Sequence, residues 1–194
     1  VKKILRFKYA LGLNTKPQID LANIVADINA PESKVLQRKM VASAVTVVKS
    51  ANDILPLKNL NHRKIAVVVM GNENGVKSMF ARRCTDYAEA TVFDYNRVGS
   101  LDALQQKIAK GGFNTVIVCV ATPAEAYMNA AKQLASAGGD VIVATMCHPE
   151  KLDLVGSLMG SDKVKASLVT YGTTMTDEDY LAQTIFGGNA AKGV

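Results

Sequence analysis

Residues able to do chemistry are few in this chain of 194 residues, and most sit in loops that follow short apolar runs. Cys147 and His148 stand side by side after one such run. A Cys–His nucleophile needs the imidazole within hydrogen-bond reach of the sulfur, and immediate neighbours on an extended chain point apart. The pair therefore reads as a buried thiol followed by a helix-capping or interface histidine, with nucleophilic catalysis as the competing use. Cys119 lies inside a β-branched run and belongs to a core, while Cys84 reads as a free helical thiol. Three cysteines without C-x-x-C spacing make neither a zinc site nor a small disulfide scaffold. Gly71-Asn72-Glu73-Asn74-Gly75 is a glycine-containing loop, but it matches neither G-x-G-x-x-G nor a phosphate loop ending in Gly-Lys-Ser/Thr. Gly156-Ser157-Leu158-Met159-Gly160 sets serine beside the first glycine, so it is no nucleophile elbow. Acids at Glu73, Asp94, Glu125 and Glu150 have no spacing that pairs two of them for glycoside cleavage. Asp177-Glu178-Asp179 opens a helix, where capping accounts for the negative charge. No metal and no cofactor is expected.

The elements that must position these residues show themselves from about Lys64 onward. Apolar runs begin at Ile65, Ala90, Val116, Val141 and Ala166, each rich in β-branched residues and apolar on successive positions. That pattern belongs to strands buried on both faces, as in a parallel sheet covered by helices. Intervals of roughly 20 to 27 residues leave room for one crossover helix each. Right-handed crossovers then give an α/β, three-layer sandwich around a mostly parallel, doubly wound sheet of about six strands. Helices are expected over 75–88, over 101–110 with Ser100 as cap, and from Thr122-Pro123 to Ala137 and Gly138. Two more are expected from Pro149 to about Gly160 and from Thr176 to Phe186.

The first 60 residues differ. Val1 to Ala10 reads as the end of a helix, broken at Leu11-Gly12-Leu13-Asn14, and Asp20 to Ile28 as a short second one. Asn29-Ala30-Pro31-Glu32 is a restart signal, with Asn29 as cap, for a third helix over 33–51. Its apolar face would carry Val35, Leu36, Met40, Val41, Ala44, Val45 and Val48, although the valines also suit a strand. Residues 1–31 form a helical arm in this reading, and residues 32–194 the α/β domain. The absent initiator methionine suggests a piece of a longer protein. The formal charge of +6 is scattered rather than clustered, aromatics make up 6% and tryptophan is missing, which argues against a nucleic-acid partner. No run of about 18 uncharged apolar residues exists to span a bilayer.

Several segments together carry a resemblance. Lys2-Lys3-Ile4-Leu5-Arg6-Phe7-Lys8-Tyr9-Ala10-Leu11-Gly12-Leu13 is similar to the "RIL-x-x-K-x-x-LGL" segment that leaves the catalytic barrel in glycoside hydrolase family 3. Ala42-Ser43-Ala44-Val45-Thr46-Val47-Val48-Lys49-Ser50 resembles the family's helix before its "LPL" exit, which Leu55-Pro56-Leu57 matches. Tyr171-Gly172 and Ile185-Phe186-Gly187-Gly188-Asn189 follow in the family's order and resemble its last strand end and closing helix.

The resemblance implies the second, α/β-sandwich domain of such an enzyme, closest in style to the β-N-acetylhexosaminidase branch of Bacteroidetes-type bacteria. It implies action on terminal β-linked N-acetylglucosamine, including cell-wall fragments, in the bacterial periplasm or cell envelope rather than the cytoplasm. The implied partner is an N-terminal TIM-barrel catalytic domain of the same polypeptide, and some members carry a serine-hydrolase domain further on. In that branch both catalytic groups come from the barrel, so no residue here inherits a catalytic role. In the β-glucosidase branch a glutamate of the second domain is the acid/base, and Glu73 and Glu125 are the loop-placed candidates. Asn72, Glu73, Thr122 and His148, at strand carboxyl ends, are the residues expected to border a substrate cleft. Two alternatives stay open: a sugar- or protein-binding α/β module without catalysis, and an independent enzyme using Cys147-His148.

Overall fold

The computed structural model describes residues 1–15, 21–137 and 139–193. Asp20, Gly138 and Val194, which enter the expectations above, lie outside the described residues. The chain divides into two compact units, Val1–Gln37 and Arg38–Val194.

In the first unit α1, Lys2–Ala10, ends at Leu11, and Gly12 takes the left-handed backbone (φ +72°) that breaks the helix. The second helix, α2, is shorter than expected, Ile24–Ile28. Asn29 closes α2 rather than opening the next helix, because its side-chain amide donates to the Val25 carbonyl (2.8 Å). The third helix, α3, Pro31–Ala44, spans the division between the units in sequence and begins on proline, whose missing N–H costs nothing at a helix start. Val35, Leu36 and Met40 on this helix are exposed, so the broad apolar face foreseen there faces no core.

Past Ala44 the expected helix gives way to a strand. Thr46, Val47 and Val48 are β-branched and stiff at χ1, and they open β1, Thr46–Ser50. This strand runs antiparallel to the last strand, β6, with Thr46 opposite Val169 and Ser50 opposite Ala166. The remaining strands are β2, Ile65–Met70; β3, Ala90–Asp94; β4, Thr115–Val120; β5, Asp140–Met146; and β6, Val164–Thr170. They lie parallel in the order β1-β6-β5-β4-β2-β3, with only β1 reversed.

The helices of this unit are α4, Met79–Tyr87; α5, Tyr95–Val98; α6, Leu101–Gly111; α7, Glu125–Leu134; α8, Leu152–Met159; and α9, Met175–Phe186. One sheet face, with Val67, Ile117, Ile142 and Leu168, packs on Phe80 and Cys84 of α4 and on Leu181 and Ile185 of α9. The other, with Val68, Val118 and Val143, packs on Leu104 of α6, Leu134 of α7 and Leu158 of α8. Neighbouring residues of one strand thus enter different layers, which is why the runs are apolar on successive positions. Each such side chain contributes about 1.5–3 kcal/mol by burial.

Four helix starts depart from expectation. The helix α8 begins at Leu152 rather than Pro149, because residues 149–151 close a 3₁₀ turn in which the Lys151 N–H donates to the His148 carbonyl (2.9 Å). Residues 75–77 make a separate 3₁₀ turn, and Ser78 then caps α4, its hydroxyl accepting from the Ala81 N–H. The helix α7 begins at Glu125 because Thr122 is occupied elsewhere and Ala124 is extended. The start of α9 lies at Met175, where Thr174 and Asp177 form a capping box.

Candidate functional site

The strand order reverses at β2. Its crossover to β3 goes to one side and the next strand, β4, returns on the other. Ligands of open α/β sheets bind outside the strand carboxyl ends at such a switch point. Here the loops after β2 and β4 enclose an open depression of about 390 Å³, completed by the end of β5 and the start of α9.

The loop after β2 is fastened from several directions. Gly71 has φ +67° and packs so closely on Thr122 and Tyr127 that a side chain would press on both. The Thr122 hydroxyl donates to the Gly71 carbonyl (3.0 Å). Asn72 accepts from the Asn74 N–H on Oδ1 (2.8 Å) and donates from Nδ2 to Glu178 Oε1 (2.7 Å). Gly75 has φ +51°, and a Cβ there would collide with the Asp94 carboxylate. The loop is therefore held in one shape by groups from β3, α7 and α9.

Three of the four expected cleft residues come together. Asn72, Glu73 and Thr122 line the depression, with Thr122 and Glu73 exposed and Asn72 half-buried. His148 does not line it; it is exposed at the start of a 3₁₀ turn after β5, and its side chain makes no cap. The neighbouring Cys147 is buried and its thiol donates to the His148 carbonyl (3.1 Å), not to the imidazole. Burial also pushes this thiol's pKa up, away from the thiolate a nucleophile needs. Glu125 is exposed in the first turn of α7, outside the depression.

Glu178 also lines the depression, although capping alone was expected to account for it. Capping accounts only for Asp177. The carboxylate of Glu178 is buried and accepts from the Phe80 N–H on Oε2 (2.8 Å) and from Asn72 on Oε1. Asp179 is buried as well, accepting from Arg83 Nε (2.6 Å) and Gln183 Nε2 (2.9 Å). The hydrogen bond to Asp179 holds the Arg83 guanidinium more firmly protonated than usual. A signal for Glu178 was present in the sequence: it precedes Leu181, Ala182 and Ile185 by three, four and seven positions, the spacing of one helix face.

Among the described residues, two carboxylates, Glu73 and Glu178, border the depression, and no lysine, arginine or histidine does. Both oxygens of Glu178 are engaged inside the protein, which leaves Glu73 as the one acid there free to meet a ligand. A glycoside-cleaving pair needs two available carboxyl groups. The depression therefore offers a ligand one available carboxylate, set among amide and hydroxyl side chains. Among the described residues no helix is long and apolar enough to cross a membrane, and no three metal-ligating side chains cluster.

No family model matches the sequence. A Formosa agariphila protein that carries the name beta-xylosidase is 32% identical over 80 residues, which are 41% of this chain and 11% of that protein. Among solved structures, a fungal multi-domain GH3 beta-N-acetylglucosaminidase aligns with 90% of this chain at 18% identity and a TM-score of 0.59. A glycoside hydrolase family 3 beta-N-acetylglucosaminidase from Paenibacillus sp. FPU-7 aligns with all of it at 15% identity and a TM-score of 0.59. The beta-glucoside phosphorylase BglX aligns with 96% at 13% identity and a TM-score of 0.65. The chain has the α/β-sandwich fold of a region in these proteins and spans 20%, 37% and 35% of their respective lengths.

Proposed function

We propose that this chain is the accessory α/β-sandwich domain of a family 3 β-N-acetylglucosaminidase. Residues 1–31 are the arm that joins it to an N-terminal TIM-barrel catalytic domain, and residues 32–194 are the domain itself. The depression at the switch point, with Asn72, Glu73 and Thr122 on its rim, borders the substrate cleft of the longer enzyme. The observation that carries this reading is the site's chemistry: polar, preorganised, yet with a single available carboxylate. The fold likeness to parts of two β-N-acetylglucosaminidases supports the sugar. Hydrolysis of a chromogenic N-acetyl-β-glucosaminide by the full-length protein, and none by this chain, is the expected result. Activity in the chain alone would overturn it.

A second reading, a β-glucosidase-type domain, is favoured by the free carboxylate of Glu73 and the likeness to BglX. The Glu73→Gln variant of the full-length protein separates the two. A general acid/base contributes about a hundredfold or more, so a kcat loss of that size on a β-glucoside supports the second reading. An unchanged kcat supports the first.

A further inference from the structure

Glu178 occupies an unusual position for a charged side chain. It is 5% exposed, sits on α9, and meets two donors from other parts of the domain. One is the Phe80 N–H, a donor of the first turn of α4 that has no partner within its own helix. The other is the Asn72 amide, a group that can rotate by half a turn and exchange its donor and acceptor ends. Because a carboxylate only accepts, Asn72 must turn Nδ2 toward Glu178. Its Oδ1 is then left to accept from the Asn74 N–H. The orientation of the rim amide is thus dictated from inside the protein.

We propose that Glu178 is a positioning residue that sets the hydrogen-bond polarity of the switch-point depression, and that the depression takes an uncharged, hydroxyl-bearing ligand and excludes anions. With Oδ1 and one Nδ2 hydrogen of Asn72 engaged, the second Nδ2 hydrogen is the donor this side chain has left for a ligand. Thr122, Thr173 and Glu73 also line the depression and bring two hydroxyls and a carboxylate to it. A phosphate or a sugar acid would meet two carboxylates and no cation at close range, in a setting where like charges repel. A sugar hydroxyl can both give and take hydrogen bonds there. This rests on the reading of the depression as a sugar-facing site.

Swapping the polarity tests it. In Glu178→Gln the new amide can accept from the fixed Phe80 N–H only by pointing its NH₂ at Asn72. The Asn72 amide must then flip, and the Asn74 N–H loses its acceptor. Rapid-exchange NMR on this chain should show the Asn74 amide exchanging about tenfold faster, the cost of one lost hydrogen bond. In the double variant Asn72→Asp/Glu178→Gln, the introduced carboxylate accepts from the introduced amide and from Asn74, so protection should return. The rim would then lack its donor. Shifts that N-acetylglucosamine induces at Asn74 and Thr122 in the native chain should therefore stay absent in the double variant despite the restored loop. A purely structural role would restore both together. Glucuronate should shift neither amide.

Unchanged Asn74 exchange in Glu178→Gln overturns the positioning role, as does failure of the double variant to restore it. Glucuronate shifts equal to those of N-acetylglucosamine overturn the ligand class, and so does the absence of any sugar-induced shift. Should Glu178→Gln fail to fold, Asn72→Ala, which leaves the bond from Phe80 to Glu178 intact, must show the same faster Asn74 exchange; native-like exchange there overturns the proposal. Intact sugar shifts with no hydrolysis by the full-length protein would sink the accessory-domain reading and leave this one standing.

Discussion

Cys84, Cys119 and Cys147 are all fully buried, and burial raises the pKa of each thiol; for Cys119 the nearby Glu178 charge adds to the effect. The folded protein therefore holds these protons to higher pH than the unfolded chain, whose thiols titrate near 8.5. Where the native state binds more protons, stability falls as pH rises. The stabilisation is complete below about pH 8.5 and is lost as pH climbs through the raised folded-state values. Urea midpoints measured between neutral and alkaline pH should decline, and Cys119→Ala should make that decline shallower even though it lowers the midpoint itself. An identical slope in the variant would refute the linkage. The same burial predicts that a thiol reagent labels no cysteine in the native protein and three after denaturation in guanidinium. Rapid native labelling of Cys147 would return it to the list of candidate nucleophiles.

At the scale of elements, two serine caps allow a direct comparison. Ser78 and Ser100 each accept from the backbone N–H three residues on, at 3.2 Å. Ser78 and Ala81 are buried, whereas Ser100 is exposed. Removing an N-cap side chain costs about 1 kcal/mol, but water can replace it only where water reaches. Ser78→Ala should therefore lower stability by about 2 kcal/mol and Ser100→Ala by less than about 1 kcal/mol, read from urea unfolding. Equal losses would mean that the first turn of α4 is wetter than its burial implies.

Ser100 was legible from sequence because a serine stood before a clean helical stripe. Ser78 was not, since the 3₁₀ turn at 75–77 continues the pattern of the helix that follows. The parallel strands were legible because burial on both faces leaves continuous apolar runs. The strand β1 reads as helix in the sequence because Val45 to Val48 extends the spacing of α3, and only pairing with β6 decides the matter. Of the site, the rim could be placed by topology. Its internal support could not, because the contacts of Glu178 with Asn72 and Phe80 bridge 106 and 98 positions along the chain.

For the whole molecule, the distribution of burial along the chain sets the expectation. No residue of α1, α2 or α3 is buried, while the core residues begin at Val45. Stability should therefore reside in the sheet and the helices that cover it. The arm instead displays Ile4, Leu5, Phe7, Leu11, Val25 and Ile28, each more than half exposed. A run of exposed large apolar side chains of this kind marks an interaction surface rather than an ordinary exterior. In the proposed full-length enzyme that surface belongs to the junction with the barrel. Deleting residues 1–30 should accordingly shift the melting temperature by no more than about 4 °C, the scale of a change near 1 kcal/mol at this size. The shortened chain should also self-associate less, which sedimentation velocity would show as a smaller fraction of dimers and larger species. A drop in melting temperature of about 10 °C or more would mean that the arm completes the core, and the division into arm and domain would have to be withdrawn.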